Sequence, residues 1–251
     1  MTAYQHDAVA LILGESYHPG GLALTRRLAD SLGLRFGARV ADVASGPGAT
    51  ASLLAAEYGV TVDGIDLGPA AVAAANAQGA QAGIGDRVVF RVGDAERLPL
   101  DDASVDAVVC ECALCTFPDK EAATAEMARV LKPGGRVGIT DVTLDRGRLD
   151  PELASLAGWV ACIADARPAA EYCHYLEEAG LQVRLVERHD DALARMIEQI
   201  DARLVAYRML DAPALKGVDI EAVRQKVALS ARAVHDVTAG YSLLVADKPA
   251  H

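Results

Sequence analysis

Between Arg39 and Val142, short β-branched runs alternate with segments of helical period, and that alternation constrains the fold more than any other feature of the chain. Strand, helix and strand in repeated succession build βαβ units, whose strands lie parallel in one sheet. Residues 39–45, 60–67, 88–94, 104–112 and 136–142 are predicted strands, with predicted helices at 46–59, 68–83 and 119–135. The last of these helices ends before Pro133, and Gly134-Gly135 supply the turn. Beyond an irregular stretch at 143–170, the segment from Ala169 to Asp190 reads as a helix and a sixth strand, and Tyr241–Pro249 as a closing strand. Two amphipathic segments, 191–210 and 219–235, stand before it. The expected organisation is an α/β domain of residues 36–189 and 239–251, an N-terminal helical cap at 1–35, and a helical insertion at 190–238 that serves as a cap or a dimer surface.

A hydrophobic share of 52% over 251 residues is ample for one large core. The net charge of −11 opposes the phosphate neutralisation on which nucleic-acid binding depends, and disfavours anionic membranes. Small-molecule chemistry is the class left. The opening Met1-Thr2-Ala3-Tyr4 shows no basic region followed by an apolar core, and the longest uncharged apolar stretch, Leu153–Ala164, is well short of the ~20 residues of a spanning helix. Five cysteines, an odd count with three in "CECALC" (110–115), fit reduced thiols. A cytoplasmic protein is expected, with neither membrane segment nor nucleic-acid partner.

Ligands of open parallel sheets bind beyond the carboxyl ends of the strands. There the chain places "DVASGPG" (42–48), whose Gly46 and Gly48 let backbone approach a ligand closely. Asp66 follows twenty positions after Gly46, suited to bridging two ribose hydroxyls. In "GDAERLPL" (93–100), Asp94 and the Ala95 amide offer an acceptor and a donor to an adenine edge. No lysine follows the glycine turn as in a P-loop, which favours a nucleoside without phosphate.

"DVASGPGAT", "GIDLGPAAV", "GDAERLPLDDASVDAVVC" and "ARVLKPGGRVGITD" together resemble the successive motifs of class I S-adenosylmethionine-dependent methyltransferases, over about residues 36–142. The closing "YSLLVADKP" is similar to that family's antiparallel seventh strand. The resemblance implies a Rossmann-like, seven-stranded, mostly parallel sheet with helices on both faces, and S-adenosyl-L-methionine as cofactor. It also implies Asp42, Ser45, Gly46 and Gly48 near the methionine part, Asp66 on the ribose, Leu67 against the adenine, and Asp94 with Ala95 at the adenine edge. Ala44 stands where the family usually has its first glycine, which should tighten the turn without abolishing it.

Within the cysteine cluster, strand alternation turns Cys110 inward, whereas Cys112 and Cys115 lie past the strand end with thiols expected to face the substrate. "VVCECALCTFPDK" and "LAGWVACIADARP" (156–168) resemble two segments of arsenite methyltransferases. The resemblance implies Cys112 and Cys162 as substrate ligands. Trivalent arsenic is soft and thiolates select soft centres. No cysteine precedes Cys110, so a third thiol would have to come from Cys115, Cys173 or an external thiol. The rival for "CECALC" is structural zinc, for which Cys173-His174 is the candidate second pair. Packing alone is the plainest alternative for all of them.

Tyr17 and His18, in "GESYHPGG" (14–21), are placed to fold over the cofactor, and His18 to act on a substrate proton or to end a turn. Glu111 either touches the cofactor ammonium or ends its strand in solvent. His174, Asp141 and Trp159 are pocket wall or packing. Three functions fit: methyl transfer to a trivalent arsenical; methyl transfer to carbon, oxygen or nitrogen of a quinone-like or other small metabolite; and a thiol-based metalloid sensor without turnover. A homodimer is compatible with each.

Overall fold

A computed structural model describes residues 18–148, 165–210 and 219–250. Its elements in chain order are α1 (Gly21–Leu32), β1 (Arg39–Val43), α2 (Ala49–Tyr58), β2 (Thr61–Asp66), α3 (Pro69–Gln81), β3 (Val88–Val92), β4 (Val105–Glu111), α4 (Lys120–Val130), β5 (Leu131–Leu144), α5 (Ala169–Glu178), β6 (Gln182–Arg188), α6 (Asp190–Met209), α7 (Ile220–His235) and β7 (Ala239–Asp247). The seven strands form one sheet in the order β3-β2-β1-β4-β5-β7-β6. β1 to β5 pair in parallel, and β7 runs antiparallel between β5 and β6. The order reverses between β1 and β4, which makes their carboxyl ends the place for a ligand.

Strand burial follows position in the sheet. β1 and β7 are buried on both faces almost throughout, as strands covered by helices above and below must be. Edge strand β6 instead alternates, its charged Arg184 and Arg188 blunting an edge open to further pairing. Leu24, Leu28 and Leu32 recur at helical spacing on α1 and are buried. A Cβ on Gly138 of β5 would lie 2.8 Å from Leu28, so α1 sits directly on the sheet through a gap that only glycine leaves. The segment expected as a cap is thus, over its described part, a sheet-packed helix. On the other edge, Arg224 of α7 bonds Asp201 of α6 at 2.7 and 3.1 Å, pairing the two helices of the 190–238 segment.

Two boundaries differ from expectation. The helix expected to end before Pro133 ends at Val130, and β5 begins at once at Leu131, which pairs with Val105. The glycines lie inside the strand because a Cβ on Gly135 would come within 2.9 Å of the Asp106 and Lys132 carbonyl oxygens. No helix among the described residues is long and apolar enough to cross a membrane.

Candidate functional site

The turn after β1 is built from backbone that side chains normally avoid. Ala44 has φ 60°, Gly46 51° and Gly48 86°, all left-handed. Two of these fall on glycine at no steric cost, whereas the Ala44 Cβ costs roughly 1–2 kcal/mol. The family departure therefore keeps the turn and strains it. Gly48 is fixed by a further demand, since a Cβ there would lie 2.9 Å from Cε1 of Phe90.

Asp66, at the end of β2, accepts from the Gly46 amide at 2.9 Å through Oδ2 and from the Gly68 amide at 2.8 Å through Oδ1. A carboxylate has about four acceptor positions, so each oxygen keeps capacity for a hydroxyl. Beside it Leu67 is 65% exposed, a flat apolar wall with little protein on it. Asp94 is exposed after β3 and accepts the Glu96 amide at 3.0 Å, while Ala95 packs partly against the core.

Asp42 is 2% exposed, yet its Oδ2 has no hydrogen-bond partner, and the buried Ser45 Oγ has none either. Burial pushes the Asp42 carboxyl well above the usual carboxylate range, Glu111 adds to the effect, the Ala51 amide opposes it, and Asp66 adds again. Glu111 does not end its strand in solvent, as one expectation had it; its side chain is 4% exposed. Its Oε2 accepts from Thr25 at 2.9 Å and Thr50 at 2.7 Å, and its Oε1 from Thr140 at 3.2 Å. His18 Nε2 lies 3.5 Å from the same Oε2, and Nδ1 lies 3.4 Å from the Pro19 carbonyl. Both ring nitrogens thus face acceptors, which suits a tether between α1 and β4 better than a base aimed at substrate.

The cysteines separate by environment. Cys110 is fully buried, as are Val108 and Val109 before it, because β4 lies inside the sheet with both faces covered. Cys115 is also fully buried and part of the core, which corrects the expectation that its thiol faces substrate: the short 3-10 turn at Leu114–Thr116 folds it back, and Asp141 accepts its amide at 2.9 Å. Cys112 is partly exposed at φ 53°, its amide bonded to the Thr140 carbonyl. It bears electrostatically on the buried phenols of Tyr172 and Tyr241. Cys162, with Tyr17 and Trp159, lies outside the described residues. Among the described residues no group of three or more His, Cys, Asp or Glu side chains is placed to hold a metal. Cys173 and His174, the second pair a zinc site would use, sit on α5.

A polar cavity of about 270 Å³ opens between α4 and α5, lined by Lys120, Glu121, Asp165 and Arg167 among others, and includes none of the residues around Asp42. Asp165 bonds both Lys120 and Arg167 there.

Sequence reading missed Thr25, Thr50 and Thr140, which hold Glu111, and Asn76, whose amide bridges the backbone N–H and carbonyl of Phe90 and so fixes β3. No local pattern marks any of them, because each acts on a residue brought close only by the sheet.

Residues 41–139 match the family described as a methyltransferase domain. The chain is 36% identical over 166 residues to the 27-O-demethylrifamycin SV methyltransferase of Amycolatopsis mediterranei, covering 65% of this chain and 61% of that protein. It is 33% identical over 163 residues to the arsenite methyltransferase of Halobacterium salinarum, covering 62% and 40%. It therefore spans well under two thirds of the length of the second of these relatives and just under that of the first. In three dimensions it is similar to a putative sarcosine dimethylglycine methyltransferase from Galdieria sulphuraria, with a TM-score of 0.83 at 22% identity over 92% of this chain and 86% of that one, a likeness of fold. Sheet order, the strained glycine turn and the matched residues agree, and residues 41–139 form a methyltransferase domain.

Proposed function

We propose that the chain binds S-adenosyl-L-methionine at the ends of β1, β2 and β4 and transfers its methyl to a small molecule, a trivalent arsenical. The observation that carries the donor half is the pair of orphaned buried atoms, Asp42 Oδ2 and Ser45 Oγ, beside a glycine turn. Buried polar atoms without partners are costly, and a ligand with an ammonium and hydroxyls relieves that cost. Asp66 would take the ribose hydroxyls, Leu67 would cover the adenine, and Asp94 with the Ala95 amide would read its edge. Glu111 and Asp42 would face the cationic end. When bound, the donor supplies an electrophilic methyl on a positively charged sulfur. The protein's part is to position an acceptor in line with it and to keep water out.

For the acceptor, Cys112 is the supporting feature. It stands partly exposed beyond β4 in left-handed backbone that glycine occupies at less cost. Strain of this kind clusters at functional sites. Together with Cys162 it would present two soft thiolates to a soft centre. The likeness to an arsenite methyltransferase supports this reading. A second reading, methylation of carbon, oxygen or nitrogen on an organic acceptor, is favoured by the likeness to a rifamycin methyltransferase and by the burial of Cys115, which removes one candidate third thiol.

The test is turnover of the donor to S-adenosylhomocysteine with arsenite, methylarsenite or organic acceptors, each with added thiol. The arsenical reading requires turnover on trivalent arsenic, lost in Cys112→Ser and Cys162→Ser while donor affinity holds. Undiminished turnover in both variants would eliminate thiol ligation. Metalloid binding with no donor consumed under any acceptor would identify a sensor instead.

A further inference from the structure

Three carboxylates converge at the ends of three neighbouring strands, Asp66 on β2, Asp42 on β1 and Glu111 on β4. They are not equivalent. Asp66 is held by two amides and Glu111 by three threonine hydroxyls, so each has donors on both oxygens. Asp42 alone of the three keeps a buried oxygen with no donor. The groups facing it are Glu111 and Cys110 from β4, Asp66 from β2 and the Ala51 amide from α2. His18, from the turn before α1, faces Glu111. An unpaired carboxylate buried beside two others is costly as an anion and much less so as the neutral acid.

On the donor reading given above, we propose that Asp42 is a proton store coupled to donor charge: it is neutral in the empty site, gives one proton to solvent when the sulfonium donor enters, and takes one back when transfer leaves the thioether. The charge balances at each step. The donor brings one positive charge more than the product, and the Asp42 anion compensates it. Transfer breaks the methyl carbon's bond to sulfur with the electron pair staying on sulfur, while an acceptor lone pair forms the new bond and any acceptor proton leaves to solvent. With sulfur neutral, the Asp42 anion has lost its partner and takes a proton from solvent. Asp42 is in this way a specificity determinant, favouring donor over product increasingly as pH rises.

The experiment is titration calorimetry of the full chain with S-adenosylmethionine and with S-adenosylhomocysteine, in phosphate and in Tris, whose different ionisation enthalpies report the protons exchanged. About one proton released per donor and close to none per product is the expected result below the carboxyl's raised pKa, with donor affinity rising up to about tenfold per pH unit there and product affinity flat. Asp42→Asn should bind donor with no proton released. Donor binding without proton release in the unaltered protein, or equal release for donor and product, would overturn the inference while leaving the donor reading intact. Binding of neither ligand would overturn both.

Discussion

Thr25 of α1 donates its hydroxyl proton to Oε2 of Glu111, at the end of β4, over 2.9 Å and 86 positions of sequence. Thr25 is 1% exposed and the Glu111 side chain 4%, so neither has water to fall back on. The helix is thereby tied to the strand end beside β1.

Removing that hydroxyl should be costly. Hydrogen bonds to charged groups contribute about 1.5–3 kcal/mol. Thr25→Val keeps the volume and loses the donor, and is expected to lower unfolding stability by about 2 kcal/mol in urea. Thr25→Ser restores the hydroxyl and should recover most of it. Equal stability of Val and Ser variants would show that Glu111 does not draw on this bond.

Left-handed backbone gives a second prediction with opposite sign. Ala44→Gly relieves a strain of roughly 1–2 kcal/mol, partly offset by the greater freedom of glycine in the unfolded chain. A net gain of about 0.5–1 kcal/mol is expected, read as a higher urea midpoint with unchanged slope. Cys112→Gly should gain similarly and, on the arsenical reading proposed above, lose turnover on trivalent arsenic. A loss of stability in Cys112→Gly would mean that the side chain is held by packing.

At Gly48 the backbone and the neighbouring ring act together. Alanine there meets both a φ of 86° and the Phe90 ring. Gly48→Ala is expected to cost about 2 kcal/mol or more and to weaken donor binding about tenfold or more. Phe90→Leu in the same chain should return part of the lost affinity if ring contact contributes. No rescue would place the whole effect in the backbone.

What the sequence shows plainly is what local pattern determines. β1 and β2 read as strands because β-branched runs end at glycine turns, and Asp66 stands out because its distance from Gly46, whose amide it accepts, is fixed within one βαβ unit. The helix before β5 ran too long in that reading because Arg129-Val130-Leu131 continues its pattern, and only pairing of Leu131 with Val105 marks the change to strand. Glu111 was ambiguous for a similar reason. Its three hydroxyl donors come from 86, 61 and 29 positions away, and no window of sequence joins them. Cys115 was misread because a short 3-10 turn reverses the direction that simple extension of β4 would give.

Asp42 also makes stability depend on pH in a particular direction. Its carboxyl is raised, by burial first and then by Glu111, so the folded state holds this proton to higher pH than the unfolded chain does. Between the ordinary carboxylate value and the raised one, folding takes up a proton, and stability falls by up to about 1.4 kcal/mol per pH unit as pH rises. Carboxylates whose values are lowered, such as Glu126 beside Arg129 and Asp106 beside the Arg39 amide and Lys132, act oppositely and lose their contribution as pH falls. The two effects separate in a difference. Asp42→Asn retains the second and loses the first, so its stability relative to the unaltered protein should improve steadily from about pH 4 upward in the absence of donor. Urea unfolding of both proteins across that range measures it, and a constant difference would show that Asp42 is already ionised in the empty site.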